Sequence, residues 1–211
     1  MAEAPAPRIP DSHKQAFWIY GVTAMIMREP LGIVVRDISA KGVANGGVQM
    51  ECLRMAVVLV VLSRQFLGAG VFFDRVYLQP GAAAKFPRRN YPVDFLTRLI
   101  EMLLAVAAST TVALETSALA GLTPFTIVTL VLLLLDGIWL AIARAARYST
   151  IPEIAPMAHA NLLVFLLCAL SFAAVRASGF GSPVADAVIL AEVFLFTGFQ
   201  LAGQIRSYNR T

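Results

Sequence analysis

The sequence predicts an all-α protein, a polytopic helical bundle in a membrane with four to six transmembrane helices. The chain of 211 residues is 58% hydrophobic and only 14% charged, whereas soluble domains carry about 25% charged residues. Its apolar residues cluster in runs of about 20, the length that crosses about 30 Å of hydrocarbon. The 17 Lys and Arg residues stand mainly at the ends of those runs. This pattern is typical of membrane topology signals and not of a nucleic-acid-binding surface.

The first 73 residues predict a tail followed by two membrane-associated helices. Residues 1–15 are rich in alanine and proline and lack the apolar stretch of a signal peptide, so we expect a flexible cytoplasmic tail there. Residues 16–73 form the helical pair. Its first helix is expected to be broken near Pro30, because proline removes a backbone donor and disfavours helical geometry in the residue before it. Its second helix covers the apolar run 55–73.

The rest of the chain predicts a loop and a transmembrane bundle. Residues 74–92 are polar, contain four basic residues and are expected to form a cytoplasmic loop. Residues 93–205 follow as a four-helix bundle. Its helices are predicted at 93–119, 124–143, 158–176 and 184–204.

Basic residues orient the predicted helices. The turn at 120–124 contains none, whereas the loops 74–92 and 144–156 contain four and two, so we place both loops in the cytoplasm. Six spans with both termini in the cytoplasm satisfy this bias. The alternative is a four-span protein in which residues 16–73 do not cross. We expect a bacterial inner membrane, because the tails are short and no cleavable leader is visible.

Four ionisable residues fall inside the apolar runs and are the candidate functional residues: Arg64, Glu101, Asp136 and Glu192. An ionised group at mid-span costs at least about 2.5–3.5 kcal/mol, so each requires a partner, water or a function. Arg64 is expected to pair across helices with Asp136 or Glu192, because neither acid has a basic residue within one turn of its own helix. Glu101 follows Arg98 by three positions, and a local ion pair is an alternative account of it.

Small residues bounded by carboxylates form a stripe along the helix predicted at 93–119. Intervals of four, three, four and three place its members on one face: Glu101, Ala105, Ala108, Val112 and Glu115. A stripe of this kind admits close helix packing. It predicts packing within the chain or, alternatively, a subunit interface or a water-filled groove.

Enzyme signatures are absent from the sequence. It contains no glycine-rich phosphate loop and no nucleophile elbow. Cys52 and Cys168 lack metal-site spacing, and neither His13 nor His159 has a partner for a metal pair. We therefore expect no enzyme, no cofactor, no metal and no nucleic-acid partner.

Intramembrane charges and the lack of a visible extramembrane domain leave two main classes of function open, with an integral-membrane enzyme as a third and less expected class. The first is a homo-oligomeric channel- or transport-type protein whose charged residues line or brace a path, with the path between protomers because one short chain has few spans. The alternative is a non-catalytic accessory or scaffold subunit of a larger membrane complex. Its partners would be the lipid bilayer and the other membrane subunits.

Overall fold

The computed structural model describes residues 10–73, 91–114, 119, 121–145 and 154–208. The described residues form helices and turns without a strand, so the all-α prediction is confirmed. The helices are α1 (Pro10–Lys41), α2 (Gly46–Phe73), α3 (Tyr91–Thr110), α4 (Pro124–Ala145), α5 (Ile154–Ala177) and α6 (Ser182–Tyr208).

Four of these helices are long and apolar enough to cross a membrane. The segments lie in α2, α4, α5 and α6: Gly46–Gly68, Pro124–Ala145, His159–Ala177 and Ser182–Arg206. They confirm an integral membrane protein. The segment in α2 begins before the predicted apolar run, and α3 is not among the four segments because it contains three charged residues, Asp94, Arg98 and Glu101.

Helix α3 places its charged residues inside the bundle and its apolar residues outside. Asp94 and Glu101 are buried, whereas Leu96, Leu99 and Leu103 are exposed. This is the reverse of an amphipathic helix in a soluble protein, where the charged face meets water. The charged residues that set α3 apart from the four apolar segments therefore make their contacts inside the protein.

Successive helices run in alternating directions. The turns at 42–45 and 178–181 and the described residues between α3 and α4 (111–114 and 121–123) lie at one end of the bundle, which we call the turn end. Arg54 near the start of α2 contacts both the chain after α3 and the start of α6, and Thr123 contacts Asp186. The first residue of α1 and the last of α6 lie at the opposite end. Around the bundle the neighbours follow the order α1, α2, α6, α5, α4 and α3, and α3 packs back on α1.

The start of α2 and the end of α3 differ from the prediction, and at both places polar side chains form hydrogen bonds with the backbone. Helix α2 begins at Gly46, well before residue 55, because Asn45 Oδ1 accepts hydrogen bonds from the Gly47 and Val48 amides as an N-cap. Helix α3 ends at Thr110 and does not reach residue 119. The hydroxyls of Ser109 and Thr110 donate to backbone carbonyls one turn earlier, which competes with helix continuation.

The prediction that α1 is broken near Pro30 is wrong. The helix is continuous from Pro10 to Lys41 with Pro30 inside it. The ring removes one backbone hydrogen bond without ending the helix, and the side chains of Arg28 and Glu29 beside it lie on the outside of the bundle. The tail prediction is also wrong for residues 10–15, which belong to α1, because proline at a first helical position is already in helical geometry. Residues 1–9 and the loop residues 74–90 lie outside the described residues.

Candidate functional site

Arg64 and Asp136 meet inside the bundle. Arg64 Nη2 lies 2.8 Å from Asp136 Oδ2, which joins α2 to α4. Both residues are only 2% exposed. Asn161 on α5 donates its amide Nδ2 to the same carboxylate oxygen. The sequence analysis predicted that Arg64 pairs with Asp136 or Glu192, and in the structure its partner is Asp136.

Arg98 on α3 extends this contact into a network. Its Nη1 lies 2.5 Å from Glu101 Oε2 and 3.3 Å from Asp136 Oδ1. The guanidinium stands over the Trp139 ring, 4.3 Å from the ring centroid, a stabilising cation–π geometry. Trp139 Nε1 in turn donates to Asp94 Oδ1. We call the five residues in direct polar contact the central layer: Arg64, Arg98, Glu101, Asp136 and Asn161.

The hydrogen-bonding capacity of the central layer is not filled. Within the described part of the chain, its buried atoms without a hydrogen-bond partner are Arg64 Nε, Arg64 Nη1, Arg98 Nε, Glu101 Oε1 and Asn161 Oδ1. A buried polar group left unsatisfied costs about 1–3 kcal/mol. Such groups usually contact internal water or a ligand. The central layer therefore retains donors and acceptors that no group in the described residues satisfies.

A second group of buried charges lies at the turn end. Arg54 Nη2 is 3.4 Å from Asp186 Oδ2, and Arg54 Nη1 donates to the Val112 carbonyl at 2.9 Å. Asp186 also accepts from the Thr123 backbone amide and hydroxyl. We call Arg54, Thr123 and Asp186 the turn-end layer. They hold together the chain after α3, the start of α4 and the start of α6.

Sequence reasoning missed the turn-end layer. Arg54 immediately precedes the apolar run, and Asp186 stands two positions after residue 184, the predicted start of the last helix. Charges at span ends can reach water, so these positions gave no reason to expect burial. The one available signal was the position of Asp186 near a helix start, where a carboxylate is favoured by the free backbone amides.

An apolar layer separates the two charged layers. Arg54 and Arg64 are ten positions apart on α2, or about 15 Å along a helix axis. Between them lies a cavity of about 10 Å³ whose lining is mainly aliphatic: Val57, Val58, Val61, Leu62, Ala105, Ala108, Thr129 and Leu132. A cavity needs about 10–15 Å³ to hold one water molecule. This cavity is thus too small for any solute larger than water.

The stripe of small residues on α3 packs inside the chain. Ala105, Ala108 and Val112 are buried, and Ser109 beside them contacts Met27 on α1. Close approach of α3 to its neighbours is the structural role of these residues. The last predicted member, Glu115, lies outside the described residues.

Glu192 lies apart from the central layer. It is half-buried on α6 and accepts a hydrogen bond from Ser171 Oγ on α5. No ion pair joins it to a basic residue in the described ranges. The four candidate residues therefore divide into three that meet, Arg64, Glu101 and Asp136, and Glu192, which does not join them.

Comparison with known proteins finds no relative: no family model, no curated protein and no solved structure matches the chain. Among the described residues, no group of three or more His, Cys, Asp and Glu side chains is placed to hold a metal ion. The function is accordingly inferred from the two charged layers and the apolar layer between them.

Proposed function

We propose that the protein is a transport-type membrane protein in which the central layer contacts the solute. The observation that carries this proposal is the set of unsatisfied buried atoms on Arg64, Arg98, Glu101 and Asn161. A purely structural ion-pair network is most stable when every buried atom has a partner. A layer with open donors and acceptors instead supports binding of a small molecule.

The apolar layer fits the closed state of such a protein. The cavity that aliphatic side chains of α2, α3 and α4 line between the two charged layers is too small for any solute larger than water. Hydrophobic constrictions are one of the ordinary gates of membrane pathways. In this proposal α2 moves relative to α3 and α4 to open the path, and the conformation described is the occluded one.

We place the path within one protomer. Arg64, Glu101 and Asp136 are buried inside the bundle, so in this conformation they do not line a passage between copies of the chain. A homo-oligomer remains a separate proposal. In that proposal the exposed leucine row on α5, Leu163, Leu166 and Leu170, faces a second copy of the chain.

We further propose six spans, with both termini in the cytoplasm of a bacterial cell and the bundle in its inner membrane. The alternating helix directions support an even number of crossings. The basic loops predicted at 74–92 and 144–156 follow α2 and α4 at the end opposite the turn end. The positive-inside bias places that end in the cytoplasm.

The test is solute flux into vesicles that contain the purified protein. We expect flux above that of protein-free vesicles, and loss of it in Arg64→Gln. Glu192→Gln is the matched control, because Glu192 is also an intramembrane ionisable residue but lies outside the central layer. Flux that is absent for every class of solute, with folded protein in the vesicles, overturns the transport proposal.

The closed apolar layer favours a second candidate, a non-catalytic accessory or scaffold subunit. In that function the charged layers only fix helix positions. Arg64→Gln would then lower the stability of the protein and of its complex, while no flux would be seen in the wild type. Flux in the wild type that the Arg64 substitution abolishes at unchanged folding excludes this alternative.

A further inference from the structure

We infer that the central layer takes a small uncharged solute that carries both hydrogen-bond donors and acceptors, of which water is the smallest and a polyol or an amide a larger example. This inference rests on the proposed transport function and specifies its substrate class. It depends on the net charge of the central layer and on whether its atoms without a hydrogen-bond partner are donors or acceptors.

The formal charges of the central layer cancel. Arg64 and Arg98 are opposed by Glu101 and Asp136, and the ion pairs join each acid to an arginine. An additional ion would bring a net charge into a buried region, where charges are costly unless they are paired. A balanced layer therefore discriminates against inorganic anions and cations alike.

The buried atoms of the central layer that have no hydrogen-bond partner include both donors and acceptors. Arg64 Nε, Arg64 Nη1 and Arg98 Nε can only donate, whereas Glu101 Oε1 and Asn161 Oδ1 accept. An anion would satisfy the donors and leave the oxygens unpaired. A cation would do the opposite. A hydroxyl-bearing or amide-bearing molecule carries partners for both kinds of atom.

Asp136 does not compete for the solute. Its Oδ1 faces Arg98, and its Oδ2 is shared by Arg64 and Asn161. The carboxylate thus holds the two arginines and the amide in place, while other nitrogen and oxygen atoms of those side chains have no partner among the described residues. Asp136 is a positioning residue, and the contacts to the solute come from its neighbours.

The experiment compares solute classes in the same vesicles by stopped-flow light scattering. Water permeability is measured from shrinkage in an impermeant osmolyte, and uncharged solute permeability from swelling in glycerol and in urea. Nitrate and potassium fluxes are measured with matching counter-ions carried by ionophores. We expect at least one uncharged permeability to rise several-fold above protein-free vesicles, with both ion fluxes at background.

The outcomes separate the two proposals. Ion flux without uncharged flux overturns the substrate class and leaves transport standing. Background values for water, glycerol, urea and both ions overturn transport itself. Water permeation alone, without glycerol or urea, supports the inference and limits the solute to water.

A charge-changing variant tests the balance directly. Glu101→Gln keeps the side-chain size and an acceptor oxygen but gives the layer a net positive charge. We expect nitrate flux to appear in this variant, with potassium flux still at background. If folded Glu101→Gln keeps wild-type selectivity, charge balance does not select the solute and the inference fails. The wild-type comparison decides the solute class even if this variant does not fold.

Discussion

Arg64 Nη2 lies 2.8 Å from Asp136 Oδ2, across a sequence separation of 72 positions. The backbones of α2 and α4 have little direct contact, so the long arginine side chain bridges the space between them. Because both groups are buried, each neutralises a charge that would otherwise stand alone in a region of low dielectric constant. The contact therefore links the stability of the bundle to the geometry of the central layer.

Removing one partner of this ion pair should destabilise the protein strongly. We expect Arg64→Gln or Asp136→Asn alone to lower the free energy of unfolding by about 3–5 kcal/mol, because the remaining charge is buried without compensation. The double variant should recover a large part of that loss. Reversible unfolding in mixed micelles measures the coupling in a double-mutant cycle. Arg206→Gln, at an exposed position near the end of α6, is the control and should change little.

Additive losses in that cycle would show that the two side chains do not interact. Asp136→Asn also weakens the contact to Arg98, so recovery in the double variant is expected to be incomplete. Full recovery would indicate that the Arg98 contact contributes nothing.

The membrane class and the need of Arg64 for an acid could be predicted because both follow from local composition. An arginine near the centre of an apolar run is expensive wherever its helix stands. Which acid it meets could not be predicted, because Asp136 and Glu192 present the same local pattern and their depths and facing directions depend on helix packing. The structure assigns Asp136 to Arg64 and gives Glu192 a hydroxyl partner on Ser171.

Local polar contacts explain the errors at helix ends. The Asn45-Gly46-Gly47 sequence predicted a loop, yet the Asn45 side chain caps α2 at this point. The burial of Arg54 depends on carbonyls and an acid that lie far away in sequence. The local sequence around a residue does not indicate contacts with groups that are far away along the chain. By contrast, the buried face of α3 followed from its spacing of small residues.

Removing Arg54 should loosen the turn end without disturbing the central layer. In Arg54→Met the Val112 carbonyl loses its donor and Asp186 loses its ion pair. We expect faster amide hydrogen exchange at residues 111–114, with unchanged exchange at Leu132 and Leu133 in α4. Mass spectrometry of exchange in lipid nanodiscs measures both regions.

A second substitution checks the cause of that loosening. Asp186→Asn added to Arg54→Met removes the unpaired buried charge and keeps an acceptor for Thr123. The double variant should be more stable than Arg54→Met alone. Equal stability would mean that the lost carbonyl contacts, and not the unpaired carboxylate, account for the effect.

Enlarging Gly137 should separate α4 from α5. A Cβ atom at this position would lie 3.2 Å from Leu162 Cδ2 and 3.3 Å from Asn161 Cβ, so a bulky residue displaces the helix that presents Asn161 to Asp136. We expect Gly137→Val to destabilise by about 1–3 kcal/mol and to reduce solute flux. Gly203→Val is the control, because no neighbouring atom lies within 4 Å of its Cβ position. Equal losses in the two variants would show that helix propensity alone is responsible.

Single-cysteine labelling should decide how the helices cross the membrane. With Cys52 and Cys168 replaced by alanine, we expect Ala44→Cys and Ser178→Cys to react with an impermeant maleimide on intact cells, since both positions are exposed at the turn end. Ala145→Cys, exposed at the opposite end of α4, should react only after the membrane is permeabilised. If residues 16–73 did not cross, Ala44→Cys would react like Ala145→Cys while Ser178→Cys still reacted from outside. Labelling of Ala145→Cys alone on intact cells would reverse the orientation, because the basic loops would then lie outside the cell.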